Sequence, residues 1–459
     1  MTHRALDKQR VIVVGGGIAG LTAAFRLQQA GCSVKVLERS GPELIGGRMS
    51  TVQRGGFHID VGATLLLSSY HAMLELIADA GLLDRIRPAG EISGMLRDGE
   101  VQRMRSGLGL HLVRSPLLRG LPASDLLKVV ADFLRTRRLL NWDDMSSVAP
   151  ADFESVRDYA IRRGLRPDTL EYLLGPFVAG PALAVPEEAA VVSAFFFFNT
   201  LIASGGTFTS AEGVGFLPQG LARQLTVEYE AEATSVEESG DGVTVTWTRP
   251  GEAEHRESAE ACVIAVPTPR LLDIYPQLTA EQRDYFQQVD YSSSVHVAFG
   301  LDKPTKESSL LLQVPRIEHR DVAAYVLEHN QSADRVPAGK GLVMAHFRGD
   351  WSTANWDLDD SAVVDYARAE TRRLGVLPEL EHGTTMAEVF RVSPCTVRRR
   401  PGEYRAIARI AATLHPDSRV RLASGDYLAH STTNSSVCSG QRAAERIIDI
   451  LSTTRSRNS

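Results

Sequence analysis

Near the N-terminus, Gly15-Gly16-Gly17-Ile18-Ala19-Gly20 carries the spacing G-x-G-x-x-G. The chemistry it suits is phosphate binding through backbone. Gly15 permits a tight turn, Gly17 lets main chain approach a pyrophosphate, and Gly20 lets a helix lie close to a strand, with Ile18 and Ala19 in the same turn. Glu38, with Arg39 beside it, follows roughly 20 residues beyond the glycines. A carboxylate there accepts hydrogen bonds from a ribose 2′-hydroxyl and repels a 2′-phosphate. Further on, Gly46-Gly47-Arg48 combines a backbone able to lie against a flat or phosphorylated ligand with a guanidinium able to reach an anion.

Those residues need elements to hold them. Val11-Ile12-Val13-Val14 is an unbroken apolar run, as expected of a parallel strand buried on both faces. Leu21 to Ala30 has helical spacing, Gly31 stands where a helix C-cap glycine belongs, and Ser33 to Leu37 reads as a second strand. Strand, glycines, helix, strand and acid in that order predict a dinucleotide site rather than a structural glycine turn.

The chain has 459 residues, which predicts two domains, and its 43% hydrophobic and 23% charged content is that of an ordinary globular protein. A net charge of −6 gives no reason to expect nucleic acid as a partner. Cys32, Cys262, Cys395 and Cys438 are scattered, so neither a metal site nor a disulfide framework is expected. Met1 to Gln9 is polar and leads straight into the first strand, leaving no room for a signal peptide; a cytoplasmic setting follows as the expectation. The most apolar run, Ala189 to Ala203, is too short to span a bilayer and contains Asn199, so it is read as buried core or cavity wall rather than a membrane-dipping element.

Gly56 to Thr64 reads as a strand into a tight turn at Gly62-Ala63-Thr64. Tyr70 to about Thr200 reads as mostly helical, with helices predicted over Ala72–Leu83, Ala123–Leu140, Asp152–Arg163 and Pro186–Leu201, punctuated by prolines from Pro116 to Pro186. A helix is predicted over Leu221–Val227, alternating strands over Glu230–Trp247 about a turn at Ser239-Gly240-Asp241-Gly242, and a buried strand over Cys262–Pro267. Thr279-Ala280-Glu281-Gln282 is a capping-box start for a helix through Val289. Strands are predicted over Ser294–Leu301, Leu310–Val314, Val322–Leu327 and Leu342–Arg348, with one helix over Asp360–Leu374. Arg398-Arg399-Arg400 reads as a solvated turn, with anion binding as the alternative. Arg421 to Asp426 runs a strand into Gly425-Asp426, and Ser439 to Ala444 lies on a closing helix.

In this order and spacing the motifs resemble those of the FAD-dependent amine oxidase, protoporphyrinogen oxidase and carotenoid desaturase-like superfamily. The resemblance implies that Gly46, Gly47 and Arg48, together with Gly62, Ala63 and Thr64, wrap the FAD pyrophosphate and approach the isoalloxazine ring. It implies that backbone near Ala233 meets adenine and that Asp426 after Gly425 binds the ribityl chain or pyrophosphate. The closing helix, from Thr433, points its N-terminus at the flavin, where its partial positive charge suits an anionic reduced ring. His296 falls where many family members carry a lysine near the flavin, and there it could hold a water or act as a base.

Two departures matter. The stretch His430-Ser431-Thr432-Thr433-Asn434-Ser435-Ser436 has none of the aromatic residues that often frame an amine in the family. Asn434-Ser435-Ser436 also replaces the usual Glu-Gly-Ala, although these residues still cap a helix. The expected fold is therefore α/β: a Rossmann-like FAD-binding domain from residues 1–70, 205–290 and 415–459, and an α+β substrate domain from a helical 71–204 and a sheet-and-helix 291–414. The expected activity is hydride removal from a C–N or C–C unit of a small, largely apolar or cyclic substrate, with electrons passed to oxygen or another acceptor. Phe195 to Phe198 would suit such a cavity or serve as core. Alternatives are a simple amine or amino-acid oxidase, and a flavin-free binding protein like the Rab GDP-dissociation inhibitors. Aromatic hydroxylases are a further rival, disfavoured because no second G-x-G-x-x-G is present to bind a nicotinamide cofactor.

Overall fold

The computed structural model describes residue 6 and residues 9–105, 118–141, 145–240, 242–415 and 417–458. Pro116, Asp241 and most of the Met1–Gln9 leader lie outside the described residues.

A five-stranded parallel sheet carries the first glycine motif. Its order is Thr226–Glu228, Ser33–Leu37, Arg10–Val14, Ala261–Ile264 and Val420–Leu422, so strands from three distant parts of the chain lie side by side. Alternate side chains go to opposite faces. Val11, Val13, Val34, Val36 and Val263 pack beneath the helices Ile18–Gln29 and Thr433–Asn458. Ile12, Val14, Leu37, Cys262 and Ile264 face Val236, Val245 and Trp247 of a three-stranded antiparallel sheet built from Glu232–Ser239, Gly242–Thr248 and His255–Ala259. Burial on both faces accounts for the continuous apolar runs.

The second large sheet has seven strands in the order Thr384–Val392, Ser294–Leu301, Gly341–Phe347, Val322–Leu327, Leu311–Gln313, Ile92–Arg97 and Glu100–Arg105. One face, through Val295, Val297, Val343 and Phe347, packs on Trp351, Val363 and Ala367 of the helices Gly349–Ala354 and Asp360–Arg373. The other face, through Ala298, Met344 and Val326, packs on Val52, Phe57 and Ile59 of the hairpin Thr51–Arg54/Phe57–Asp60. That hairpin ends at the Gly62-Ala63-Thr64 turn, so the sheet sits directly against a motif loop.

Several sequence expectations change. Ile92–Arg97 and Glu100–Arg105 form a hairpin inside the stretch read as mostly helical; it joins the sheet by parallel pairing with Leu311–Gln313. Thr384–Val392 is an unexpected edge strand. The helix expected over Leu221–Val227 starts earlier, at Phe216, and stops at Ala222; the β-branched Thr226 and Val227 instead pair with the second strand of the parallel sheet. The phenylalanine run lies on the helix Val191–Ala203. Phe195 packs edge-on against Phe133 and Tyr159, and Phe196 stacks on His430, so these two are core. Among the described residues, no helix is long and apolar enough to cross a membrane.

Candidate functional site

Gly15 adopts φ +105°, a left-handed value that suits glycine, and its amide donates to the Leu37 carbonyl at 2.8 Å. A Cβ on Gly20 would lie 2.0 Å from the Gly15 carbonyl oxygen, so helix and strand meet at a distance only glycine allows. Gly17 differs: it is the N-cap of the helix Ile18–Gln29, and a Cβ there would meet nothing within 4 Å. No side chain caps this helix. The first-turn amides, from Ile18 onward, are therefore available to an anion in the open space at Gly17.

The other motifs converge on this turn. The Gly46 amide donates to the Gly16 carbonyl at 2.9 Å, and Gly17 and Gly46 form a parallel bridge. The Arg48 carbonyl accepts the Ala63 amide at 2.8 Å, with Gly62 against the same peptide, which ties the 62–64 turn to the Gly46–Arg48 loop. Thr64 is joined through its carbonyl to the Gln331 amide side chain at 3.3 Å. The Glu38 carboxylate accepts the Gly16 amide at 2.7 Å and the Ser40 amide at 2.8 Å, and Arg39 beside it is exposed. The Glu38 carbonyl accepts the Ala231 amide, bringing the strand that holds Ala233 alongside; the Ala233 carbonyl itself accepts from Arg270 at 2.8 Å.

Arg48 and Asp426, expected to reach separately toward the ligand, meet each other in a two-pronged pair at 2.6 and 3.2 Å. Asp426 also accepts from the Ser431 hydroxyl at 2.8 Å and the Tyr291 hydroxyl at 3.1 Å. Burial works to raise its carboxyl, but the Arg48 guanidinium and the two hydroxyls hold it below the usual carboxylate range. Gly425 abuts Ser436 in the first turn of the closing helix, which begins at Thr433.

Arg399 corrects the solvated-turn reading of the arginine triplet. It is 2% exposed, and its guanidinium donates to the carbonyls of Asp426 and Ala429. Unpaired carbonyls in a buried turn require donors, and a five-donor guanidinium supplies several at once. Arg400 alone matches the expectation, exposed and paired with Asp290.

His296 lies in the strand Ser294–Leu301, 1% exposed, on the face that meets the Thr51–Asp60 hairpin. One pleat toward the chain start is Ser294; nearby, Cys395 donates its amide to the Ser292 carbonyl and accepts from Arg48 at 2.5 Å. His296 therefore lies on the sheet face that meets the hairpin, one pleat from Ser294. Its ring stacks on His346 at 4.8 Å and on Phe390 at 5.4 Å. Among the described residues, neither of its ring nitrogens has a hydrogen-bond partner. Burial, then the neighbouring His346, push its pKa well below the ordinary imidazole value, so the ring is neutral at physiological pH.

Beneath the 62–64 turn is a fully buried ionic cluster. Arg335 pairs with Asp60 at 2.7 Å and with Glu328 at 3.1 Å. Asp60 also accepts the Thr51 hydroxyl at 2.6 Å and the Val214 amide at 3.0 Å, while Gln331 bridges Glu328 at 2.7 Å to Thr64. Burial pushes the Glu328 carboxyl above the usual carboxylate range, with Arg335 pulling it down and Asp60 pushing it up. The sequence reading missed Arg335, Glu328, His346 and Tyr291, and misread Arg399. Arg335 and Glu328 are close in the chain, but Asp60, His296 and Asp426, which Arg335, His346 and Tyr291 meet, lie far away in it.

Among the described residues no group of His, Cys, Asp or Glu could hold a metal ion, and the four cysteines are free thiols. The open cradle at Gly17, the uncapped helix start and the buried acid at Glu38 fit the pyrophosphate and ribose of a dinucleotide.

The profile of the family described as flavin containing amine oxidoreductase matches residues 18–448. A coproporphyrinogen III oxidase of Mycobacterium leprae is 27% identical over 388 residues, covering 77% of this chain and 82% of that protein. Protoporphyrinogen oxidase 2 of Arabidopsis thaliana is 28% identical over 193 residues, covering 42% of this chain but only 36% of the plant protein. Among solved structures, cyclohexylamine oxidase from Brevibacterium oxydans superposes with a TM-score of 0.75 at 18% identity, covering 96% of this chain and 99% of the other.

Proposed function

The chain belongs to the flavin containing amine oxidoreductase family, with FAD as its cofactor, and from that premise we propose an oxidoreductase that takes hydride from a C–N or C–C unit of a small, largely apolar or cyclic substrate. When bound, FAD supplies the hydride acceptor and passes the electrons to oxygen or another acceptor. The observation that carries the reading is the meeting of the glycine turns: Gly46 on Gly16, Ala63 on Arg48, and Arg48 on Asp426.

Within this reading the first-turn amides at Ile18 and the Gly17 opening receive the pyrophosphate, and Glu38 receives ribose. The Gly62-Ala63-Thr64 turn and Arg48 lie along the ring system, and the start of the helix at Thr433 biases the site toward negative charge. Arg399 holds the Gly425-Asp426 turn in place through its carbonyls. In this reading His296, neutral and walled in by Phe390, holds a water beside the substrate. A cyclic substrate is supported by the porphyrinogen oxidases among the relatives and by the lack of an aromatic residue before Thr433.

The test is anaerobic bleaching of the FAD-loaded protein against amines, amino acids, porphyrinogens and polyenes. Bleaching by a cyclic substrate ahead of simple amines is the expected result. Protein that stays colourless after loading with FAD would overturn the reading in favour of a flavin-free binding protein, and rapid reduction by NADPH alone would favour a hydroxylase.

A further inference from the structure

The histidine beside His296 has no role in the reading above. His346 is on the strand Gly341–Phe347, directly opposite His296 across the antiparallel pair, and Phe390 is opposite His296 on the other side. Across four adjacent strands the row at this level is therefore Phe390, His296, His346 and Ala324. The three rings share the face that carries Ala298 and Met344, and so look toward the Thr51–Asp60 hairpin.

We propose that His346 joins His296 in a substrate-binding site for an uncharged N–H group, so that the enzyme selects a nitrogen heterocycle over a hydrocarbon of the same shape. The proposal rests on the functional reading above and narrows its substrate.

Three observations carry it. First, three imidazole nitrogens (both of His296 and Nε2 of His346) are buried without a hydrogen-bond partner among the described residues. Buried polar atoms are rarely left so, and each one here asks for a ligand group or a water. Second, both rings are neutral. Burial holds His346 down to about 4, and His296 is lower than ordinary for the same reason and because of His346. A neutral imidazole keeps one acceptor nitrogen and one donor N–H, so His296 offers one acceptor to an N–H group, and His346 offers a second when its proton is on Nδ1. Third, the row holds no carboxylate that would favour an ammonium. The acid one pleat along, Glu388 opposite Ala298, is engaged by Arg54. His296 is sandwiched between His346 and Phe390, so its faces are covered and its ring edge, with both nitrogens, is what it offers a ligand. A hydrocarbon would fill the same space but leave the nitrogens unsatisfied.

The test uses the FAD-loaded protein with indole and indene, which differ in shape by little more than the N–H. Binding is read from the perturbation of the flavin absorbance. Wild type should bind indole roughly tenfold tighter than indene, the scale of a buried hydrogen bond. His346→Phe keeps the stacked ring and removes the nitrogens; it should bring the ratio to within about twofold while flavin content stays as in wild type. His346→Gln, which restores an acceptor, should recover part of the preference. In wild type labelled with ¹⁵N-histidine, indole but not indene should shift two imidazole resonances, a readout that needs no variant to fold. Equal affinity of wild type for the two probes, an unchanged ratio in His346→Phe, or imidazole signals indifferent to indole would overturn the proposal and leave water as the nitrogens' partner. Loss of the yellow colour in wild type would instead sink the flavin reading itself.

Discussion

Gly17 and Gly20 stand three residues apart in one motif, yet the structure gives them opposite sensitivities to a single methyl group. Gly17 has φ −70° and ψ 168°, an extended conformation open to any residue, and a Cβ would meet nothing within 4 Å. In the flavin-free protein, Gly17→Ala gains about 0.4–1 kcal/mol by restricting the unfolded chain. It gives back about as much because alanine is a poorer N-cap than glycine. The apo unfolding midpoint should stay within about 2 °C of wild type. With FAD present the new methyl occupies the space assigned to the pyrophosphate. Overpacking of about 1–3 kcal/mol then weakens FAD roughly 5- to 150-fold. Gly20→Ala is the control of opposite character. Its methyl would lie 2.0 Å from the Gly15 carbonyl oxygen, so helix and strand must separate by about an ångström to restore a normal C···O contact. That variant should lose apo stability by about 1–3 kcal/mol or more and FAD with it. The assays are thermal unfolding of deflavinated protein and fluorescence titration with FAD. Wild-type FAD affinity in Gly17→Ala would refute the placement of the pyrophosphate, whatever the family membership says.

Three further outcomes are expected. Arg335→Met leaves Asp60 and Glu328 buried without their cation and should cost about 3–5 kcal/mol in a urea unfolding series; a change under about 1 kcal/mol would show the cluster is not held by charge. His430, pushed down to about 3 mainly by burial, and His346, at about 4, stay neutral in the folded protein, whereas unfolded imidazoles take a proton near pH 6.5. Their folded values are depressed, so the stability they leave intact above pH 6.5 is lost as pH falls toward 4, by up to about 1.4 kcal/mol per unit for each ring. Urea midpoints of apo protein between pH 7 and 5 check this, and a flat profile would contradict it. Gly440→Ala places a methyl 2.3 Å from the Ala19 carbonyl, forcing the closing helix off the first one; both stability and FAD retention should drop, and normal values for both would mean the helices repack freely.

What the sequence disclosed was local. The glycine turn was legible because strand, turn, helix, strand and acid follow within one short stretch, each element with its own periodicity. The helix start at Thr279 was legible for the same reason, and its capping box with Gln282 is present. The hairpin Ile92–Arg105 was not: its strands are short, arginine-bearing and half-exposed, and they belong to a sheet through Leu311–Gln313, far along the chain. Thr384–Val392 is an edge strand with Glu388 and Arg391 on it, so its alternation is weak. Arg399 was misread because three adjacent arginines before a proline ordinarily face water; only the carbonyls of Asp426 and Ala429, supplied by another segment, bury this one.

That contrast bears on how the site works. The loops assigned to FAD and the face assigned to substrate come from different parts of the chain, and hydride transfer demands that they be held at a constant separation. The Asp60–Arg335–Glu328 cluster does this. Asp60 ends the hairpin strand one residue before Val61 and the Gly62 turn, and it also anchors the Val214 amide. Arg335 and Glu328 follow the sheet strand Val322–Leu327, and Gln331 reaches from Glu328 to the Thr64 carbonyl. The cluster therefore joins the Gly62-Ala63-Thr64 turn, assigned to the flavin, to the sheet that carries His296 and His346. A fully buried ion pair adds little net stability over an apolar equivalent, but its directional bonds admit few alternative arrangements. Those bonds tie the hairpin end and the 62–64 turn to the sheet, beside the apolar packing of Val52 and Ile59 on Ala298.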